Sequence, residues 1–282
     1  DDRYVLTINA RTDASSKFGA NHKWGFFPSV SAAWNVSSEQ FMKQITWIDN
    51  LKLRLGYGLA GNQGGIDSYT TMNLVRPNGV APVGNSPVVT YETLRNINPD
   101  LKWEVKHTFN AGFDVGFYGN RLLLSVNYYN SKTTDMLYNY RVSVPPFTYN
   151  TLLANIGSMR NSGTEISVGI TPLKTKDMEL NINANITFQK NKLLSLNGMY
   201  NGEYISASEY TVIAGLDGAG FHGGYNNIVY QIVGQPLGVF YLPHCTGLVP
   251  DGNGGYKYEI ADLNGGGVNL EDGEDRYVAG QA

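Results

Sequence analysis

Between Lys102 and Phe117 the chain alternates without a break. Trp103, Val105, His107, Phe109, Ala111, Phe113, Val115 and Phe117 fall on one side, and Lys102, Glu104, Lys106, Thr108, Asn110, Gly112, Asp114 and Gly116 on the other. A period of two marks a β-strand, whose successive side chains point to opposite faces. A run of this length, at roughly 3.3 Å per residue, reaches about 50 Å, whereas the usual strand of a soluble domain has about 5–6 residues. Tyr118, Gly119 and Asn120 supply a turn, and Leu122, Leu124, Val126 and Tyr128 against Ser125, Asn127 and Tyr129 open a second run. The pair predicts a long hairpin with a tight turn. Both strands fit the requirement for crossing a membrane, about 9–11 residues with an apolar face to lipid and a polar face to a lumen.

The same alternation recurs along the chain. Tyr4 to Arg11, Val30 to Val36, Leu51 to Leu59, Thr164 to Ile170 and Glu179 to Gln189 each read as a strand, with a weaker candidate at Ile228 to Ile232. Helix has little claim beyond a turn at Ser38 to Lys43. The connections alternate in length: long near 12–23, 60–101, 139–156 and 191–225, short near 37–48, 118–120 and 171–177. Long loops on one side and short turns on the other are the pattern of an outer-membrane barrel, with the long loops extracellular; a Greek-key sandwich has no reason to keep that parity. The expected fold is therefore all-β, a partial antiparallel transmembrane β-barrel.

Composition narrows the function classes. The mean hydropathy of -0.25 and the lack of any apolar run near 18 residues exclude spanning helices, while a barrel averages to such a value because half of each strand is polar. A net charge of -3 without a basic cluster argues against nucleic-acid binding. The single Cys245 makes no internal disulfide, and its neighbour His244 would point to the opposite face of an extended chain, so the two do not suggest a thiol catalyst. No GxSxG, HExxH or phosphate-binding loop occurs, and no enzymatic activity is expected. The abrupt start at Asp1 and end at Ala282 suggest a segment of a longer polypeptide. The 19 Tyr and 4 Trp suit the aromatic girdles of a barrel.

Particular segments carry a resemblance. Asp2 to Tyr4, Arg11–Gly19 (RTDASSKFG), Trp24–Val36 (WGFFPSVSAAWNV), Leu51–Gly58 (LKLRLGYG) with Gly61 to Gln63, Asn98–Glu104 (NPDLKWE), Tyr128–Leu137 (YYNSKTTDML), Asn155–Gly157 (NIG) and Gly234–Tyr241 (GQPLGVFY) together resemble the SusC/RagA family of TonB-dependent outer-membrane transporters. The resemblance implies that the whole chain, 1–282, is part of one barrel domain of about 22 strands, with the plug and closing strands absent. It implies location in the outer membrane of a Gram-negative bacterium and import of oligosaccharides or peptides. It also implies a SusD-like surface lipoprotein as lid and the TonB complex as energy source, the latter contacting absent N-terminal parts. A passive porin and a soluble all-β carbohydrate-binding module are the alternatives.

Two groups of site candidates stand out. Sugar recognition uses aromatic faces beside carboxylates and amides, and Tyr69, Tyr149, Tyr200, Tyr204, Tyr210, Phe221, His222 and Tyr225 qualify by type in the loops. The spacing of Asp262, Asn264, Glu271 and Asp272 in an acidic, glycine-rich loop resembles a calcium loop. It departs from that pattern in having Gly266 and Gly273 where the fifth and twelfth positions call for acids. The alternative is a solvated acidic turn.

Overall fold

The computed structural model describes residues 3–19, 21–215, 227–271 and 273–279. It divides into two compact units, Asp1–Asn191 with Asn197–Ser206, and Lys192–Leu196 with Ala207–Ala282. In the first, β1 (Tyr4–Ala14) and β2 (Trp24–Asn35) are followed by 3₁₀ turns at Val36–Ser38 and Gln40–Gln44, then β3 (Ile48–Asn62). A separate hairpin, β4 (Val75–Val83) and β5 (Ser86–Thr93), precedes the long strands β6 (Glu104–Phe117), β7 (Leu122–Arg141), β8 (Thr151–Lys174) and β9 (Glu179–Ser195). A small hairpin of β10 (Asn197–Tyr200) and β11 (Glu203–Ser206) follows.

Seven strands form one sheet in the order β1-β2-β3-β6-β7-β8-β9. These are the seven strongest runs of the sequence, joined as a meander once the β4–β5 hairpin is set aside. Register gives each face a single character. Tyr4, Trp34, Leu53, Phe113, Val126 and Ile166 form one row across the sheet, and Leu6, Ala32, Leu55, Ala111 and Tyr128 form the next. On the other face lie Val5, Ala33, Arg54, Gly112, Asn127 and Glu165, then Thr7, Ser31, Gly56, Asn110 and Tyr129. The apolar face is bare: Leu6 is 66%, Ile8 72%, Leu55 56% and Phe188 59% exposed. A continuous apolar surface of this size does not stay in water, and a bilayer is the solvent that suits it. Aromatic rings mark both ends. Trp47 stacks on Phe117 at 5.6 Å beside Tyr118, and Tyr4 stacks on Trp34 at 6.2 Å, at the short-turn end. Trp24, Phe26 and Tyr57 stand exposed toward the loop end.

The loop boundaries differ from the expectation. Half of the stretch 139–156 is strand, because β7 runs to Arg141 and β8 starts at Thr151. Alternation fails there because β7 bulges between Thr133 and Leu137 and the strands beyond the bulge touch protein instead of two unlike solvents. The stretch 60–101 contains the β4–β5 hairpin, whose Pro77, Pro82 and Pro87 obscured a strand pattern. The stretch 191–225 contains β10, β11 and β12 (Tyr210–Gly215). The expected parity holds only in part: 118–121 and 175–178 are short and 63–103 is long, but the β2–β3 connection, 36–47, with its two 3₁₀ turns, is longer than the connections 15–23 and 142–150 at the other end.

The second unit pairs β12 with β13 (Asn227–Ile232), β13 with β14 (Val239–Pro243) and β14 with β17 (Arg276–Val278); β15 (Cys245–Pro250) and β16 (Tyr256–Ile260) make a separate hairpin. Its core is Tyr230, Ile232, Val239 and Tyr241, with Tyr210 and Val278 packed against them.

Candidate functional site

The polar face of the sheet carries a connected network. Arg54 on β3 pairs with Asp114 on β6: its Nη2 donates to Oδ1 at 2.9 Å, and its Nε lies 2.7 Å from Oδ2 as an ion-pair contact without hydrogen-bond alignment. The same Nη2 donates to Asn127 Oδ1 at 2.8 Å, and Ser125 Oγ donates to Asp114 Oδ1 at 2.7 Å. Glycine makes room for it: a Cβ on Gly112 would lie 2.4 Å from Asn127 Oδ1. Two clefts run along this face, of about 550 Å³ with Lys52, Tyr129 and Glu165 in its wall and about 440 Å³ with Asn183 and Asn185. Arg54 and Asp114 remain about one third exposed, so the pair orders a wet surface.

At the loop end an apolar cluster joins three connections. Phe18 from the β1–β2 loop, Ile66 after β3, and Leu101 and Trp103 before β6 pack on Phe27 of β2. Gly19 is required at this junction, since a Cβ there would sit 1.6 Å from Pro99 O. Asparagine side chains stand in for missing strand pairing. Asn155 Oδ1 accepts from Lys102 N–H at 2.9 Å, while its Nδ2 donates to Lys102 O at 2.7 Å and Asp135 O at 2.8 Å. Asn98, 3% exposed, donates to Leu153 O and accepts from Asp100 N–H, both at 2.9 Å. Asn96 accepts from the N–H groups of Thr148 and Tyr149 and donates to Thr151 O. Asp135, at a positive φ of 54° in the bulge, accepts from Lys102 Nζ at 2.7 Å, and Glu104 accepts from Leu137 N–H at 2.7 Å. The NPDLKWE, TTDML and NIG segments are thus the parts of one clamp that fixes the loops.

The candidate aromatics are dispersed. Tyr69 sits in a turn at φ 64°, 65% exposed. The backbone of Tyr149 is held by Asn96. Tyr200 and Tyr204 stand on β10 and β11, paired with Glu203 and Met199 respectively. Burial, with Asp100 nearby, raises the Tyr200 hydroxyl above its ordinary value. Among the described residues none of these four rings contacts another. Tyr210, in the second unit, stacks on Tyr241 at 5.3 Å. Phe221, His222 and Tyr225 lie outside the described residues. Sequence reasoning missed a cleft of about 320 Å³ lined by Asn73, Thr93, Arg95, Asn96, Phe147 and Thr148; Arg95 and Phe147 sit in stretches without periodicity, and only the loop fold brings them together.

In the acidic loop both Asp262 carboxylate oxygens accept backbone N–H groups, from Gly265 at 2.6 Å and Gly267 at 2.9 Å. Asn264 Oδ1 accepts from Gly266 N–H and its Nδ2 donates to Glu274. Glu271 N–H donates to Asn269 Oδ1, and Asp272 lies outside the described residues. The organising acid is Asp275, at the end of the acidic run and outside the four metal-ligand candidates. Fully buried, it accepts from the N–H groups of Asn269 at 2.7 Å, Leu263 at 2.5 Å and Asn264 at 3.3 Å. The Asn269 bond leads in holding its carboxyl below the ordinary value, against the opposing effect of burial. Next to it Arg276 lies between the Tyr230 and Tyr241 rings, 4.6 and 4.7 Å from their centres. Among the described residues no group of three His, Cys, Asp or Glu is placed to hold a metal ion.

A meander of long strands with one lipid-suited face, one polar face and clamped loops at one end defines the wall of an outer-membrane-type β-barrel. The family model for the TonB dependent receptor-like β-barrel matches residues 1–276, and the chain belongs to that family. TonB-dependent receptors are transport proteins, not enzymes. The chain is 35% identical over 208 residues to the TonB-dependent receptor SusC of Bacteroides thetaiotaomicron, covering 72% of this chain and 20% of SusC. It is 33% identical over 261 residues to the TonB-dependent receptor P39 of Formosa agariphila, covering 89% of this chain and 22% of P39. It thus spans about a fifth of the length of these curated relatives. The RagAB peptide transporter structure aligns with a TM-score of 0.68 at 25% identity, over 88% of this chain and 25% of that one. The closed-closed state of the RagAB importer, at 22% identity, shares the fold with a TM-score of 0.70, over 100% of this chain and 28% of that one.

Proposed function

We propose that this chain is part of the wall and loop end of an energised outer-membrane importer for oligosaccharides or peptides. In this reading a SusD-like surface lipoprotein closes the loop end and the inner-membrane TonB complex supplies energy through parts of the protein outside this chain. The observation that carries it is the two-faced seven-strand sheet with its loop end clamped by Asn96, Asn98 and Asn155. A clamped loop end offers a rigid surface for a lid and a ligand, as functional loops on a scaffold do.

The substrate-facing candidates are Tyr69, Tyr149, Tyr200 and Tyr204, with Tyr210, Phe221, His222 and Tyr225, joined by the cleft at Arg95 and Phe147. A ring face, a guanidinium and several amides suit both a peptide carboxylate and sugar hydroxyls; the RagAB neighbour is described as a peptide transporter. Calcium at Asp262, Asn264, Glu271 and Asp272 is a separate proposal. Equilibrium dialysis of the full-length protein tests it: uptake of calcium that Asp262→Asn abolishes supports it, and no uptake leaves the loop as a turn closed by its own amides.

Affinity purification of the tagged full-length protein from detergent-solubilised outer membranes, with mass spectrometry of what accompanies it, tests the main reading. A stoichiometric surface lipoprotein is expected. A barrel that purifies alone favours a lidless transporter or a passive porin.

A further inference from the structure

The apolar face of β6–β9 ends, toward the loops, in positive charge. Lys132 on β7 stands directly opposite Arg160 on β8, and His107 on β6 completes the row. All three share the face of Phe113, Val126 and Ile166. Thr171 bonded to Asn181, and Gly169 in contact with Asn183, fix the β8–β9 register; it sets Lys190 beside Ser162, one row nearer the centre of the apolar band. His107 Nδ1 lies 3.0 Å from Tyr57 Oη, at the aromatic level. Lys132, Arg160 and Lys190 are exposed, and among the described residues none has a carboxylate within ion-pair distance. The outward positions of β6 to β9 that continue this face carry no Asp or Glu.

Like charges directly opposite each other on adjacent strands repel, and Lys132 faces Arg160 without a carboxylate partner among the described residues. The short-turn end of the same face differs, because its Lys174 has Glu179 at 3.5 Å. The uncompensated row lies at one edge of the apolar band, at the height where headgroups meet water. We propose that Lys132, Arg160 and Lys190 form a docking site for the phosphorylated headgroup of a lipid in the leaflet surrounding the loop end. The Arg160 fork suits two phosphate oxygens, and the lysines act as point charges. Each basic residue near an anionic lipid surface is worth about fivefold in binding. The proposal rests on the membrane-spanning reading of the sheet.

The test uses the full-length protein with Lys132→Gln, Arg160→Gln and Lys190→Gln combined, purified from outer membranes in neutral detergent. Diphosphorylated lipid A is the probe, its binding counted by native mass spectrometry. Lys52→Gln with Lys106→Gln, which removes charge from the polar face, is the control. The expected result is a loss of bound lipid A of at least tenfold in the triple variant only, with bound lipid unaffected by a large excess of inorganic phosphate. Equal binding by parent and triple variant, equal loss in the control, or displacement by phosphate overturns the proposal. Heat-shifted gel mobility checks that each variant is folded. A parent that fractionates with the outer membrane yet binds no lipid A sinks this inference alone; a parent absent from that membrane sinks the underlying reading as well.

Discussion

Replacing Asn155 by alanine should release the segment before β6. The substitution deletes three hydrogen bonds, one accepted from Lys102 N–H and two donated to the carbonyls of Lys102 and Asp135. Residues 101–103 belong to no strand, so no ladder takes over these groups. Each such bond contributes about 0.5–1.5 kcal/mol net, so the three together give about 2–4 kcal/mol for local opening. At about 1.4 kcal/mol per factor of ten, amide exchange through local opening should quicken roughly 30- to 1,000-fold for residues 98–103 of the full-length protein. Exchange at the centre of β6, such as Gly112 and Phe113, should be unaltered. Asn155→Asp keeps the acceptor for Lys102 N–H but turns the donor toward two carbonyls into another acceptor, so it should not rescue protection. Unchanged exchange at 98–103 in Asn155→Ala would refute the view that this side chain substitutes for strand pairing.

Other outcomes follow from the same geometry. Leu55→Arg, in the outward apolar row, should cost about 2–4 kcal/mol when the full-length protein is unfolded from bilayers, whereas Asn110→Arg on the polar face should cost far less. Gly19→Ala should lower stability by about 1–3 kcal/mol, because its Cβ would overlap Pro99 O; wild-type denaturation midpoints in this variant would count against the close approach. The depressed carboxyl of Asp275 adds stability that is complete above its unfolded value near 3.8 and disappears as pH falls through the lower folded value. Amide protection at Leu263 and Asn269 should therefore persist to about pH 4 and fall below it, and a loss already at pH 6 would contradict this assignment.

The wall was legible in the sequence because its two faces meet unlike surroundings: the rows through Leu55 and Arg54 contrast most at β3 and β7, as Leu55 against Arg54 and Tyr128 against Asn127. Where both faces touch protein, as in β7 beyond Asp135, alternation vanished and strand was read as loop. The clamp was legible only as family motifs, since an asparagine that imitates a backbone has no periodicity. Nor does sequence distance reveal that Asn98 meets Leu153, or that Arg95 shares a cleft with Phe147; those pairings depend on which loops the wall brings to one end. In the acidic loop the sequence does not separate Asp275, the buried organiser, from the acids around it, because burial leaves no mark in an acidic, glycine-rich run.

The most direct test of the membrane-wall reading is a cysteine scan of β6 from Thr108 to Val115 in a full-length protein freed of other cysteines, Cys245→Ser included. Each site carries a fluorophore, and quenching by spin-labelled lipid is measured in bilayers. The account predicts strong quenching at Phe109, Ala111, Phe113 and Val115 and weak quenching at Thr108, Asn110, Gly112 and Asp114. Uniform quenching along the strand, or none at the odd positions, would contradict it.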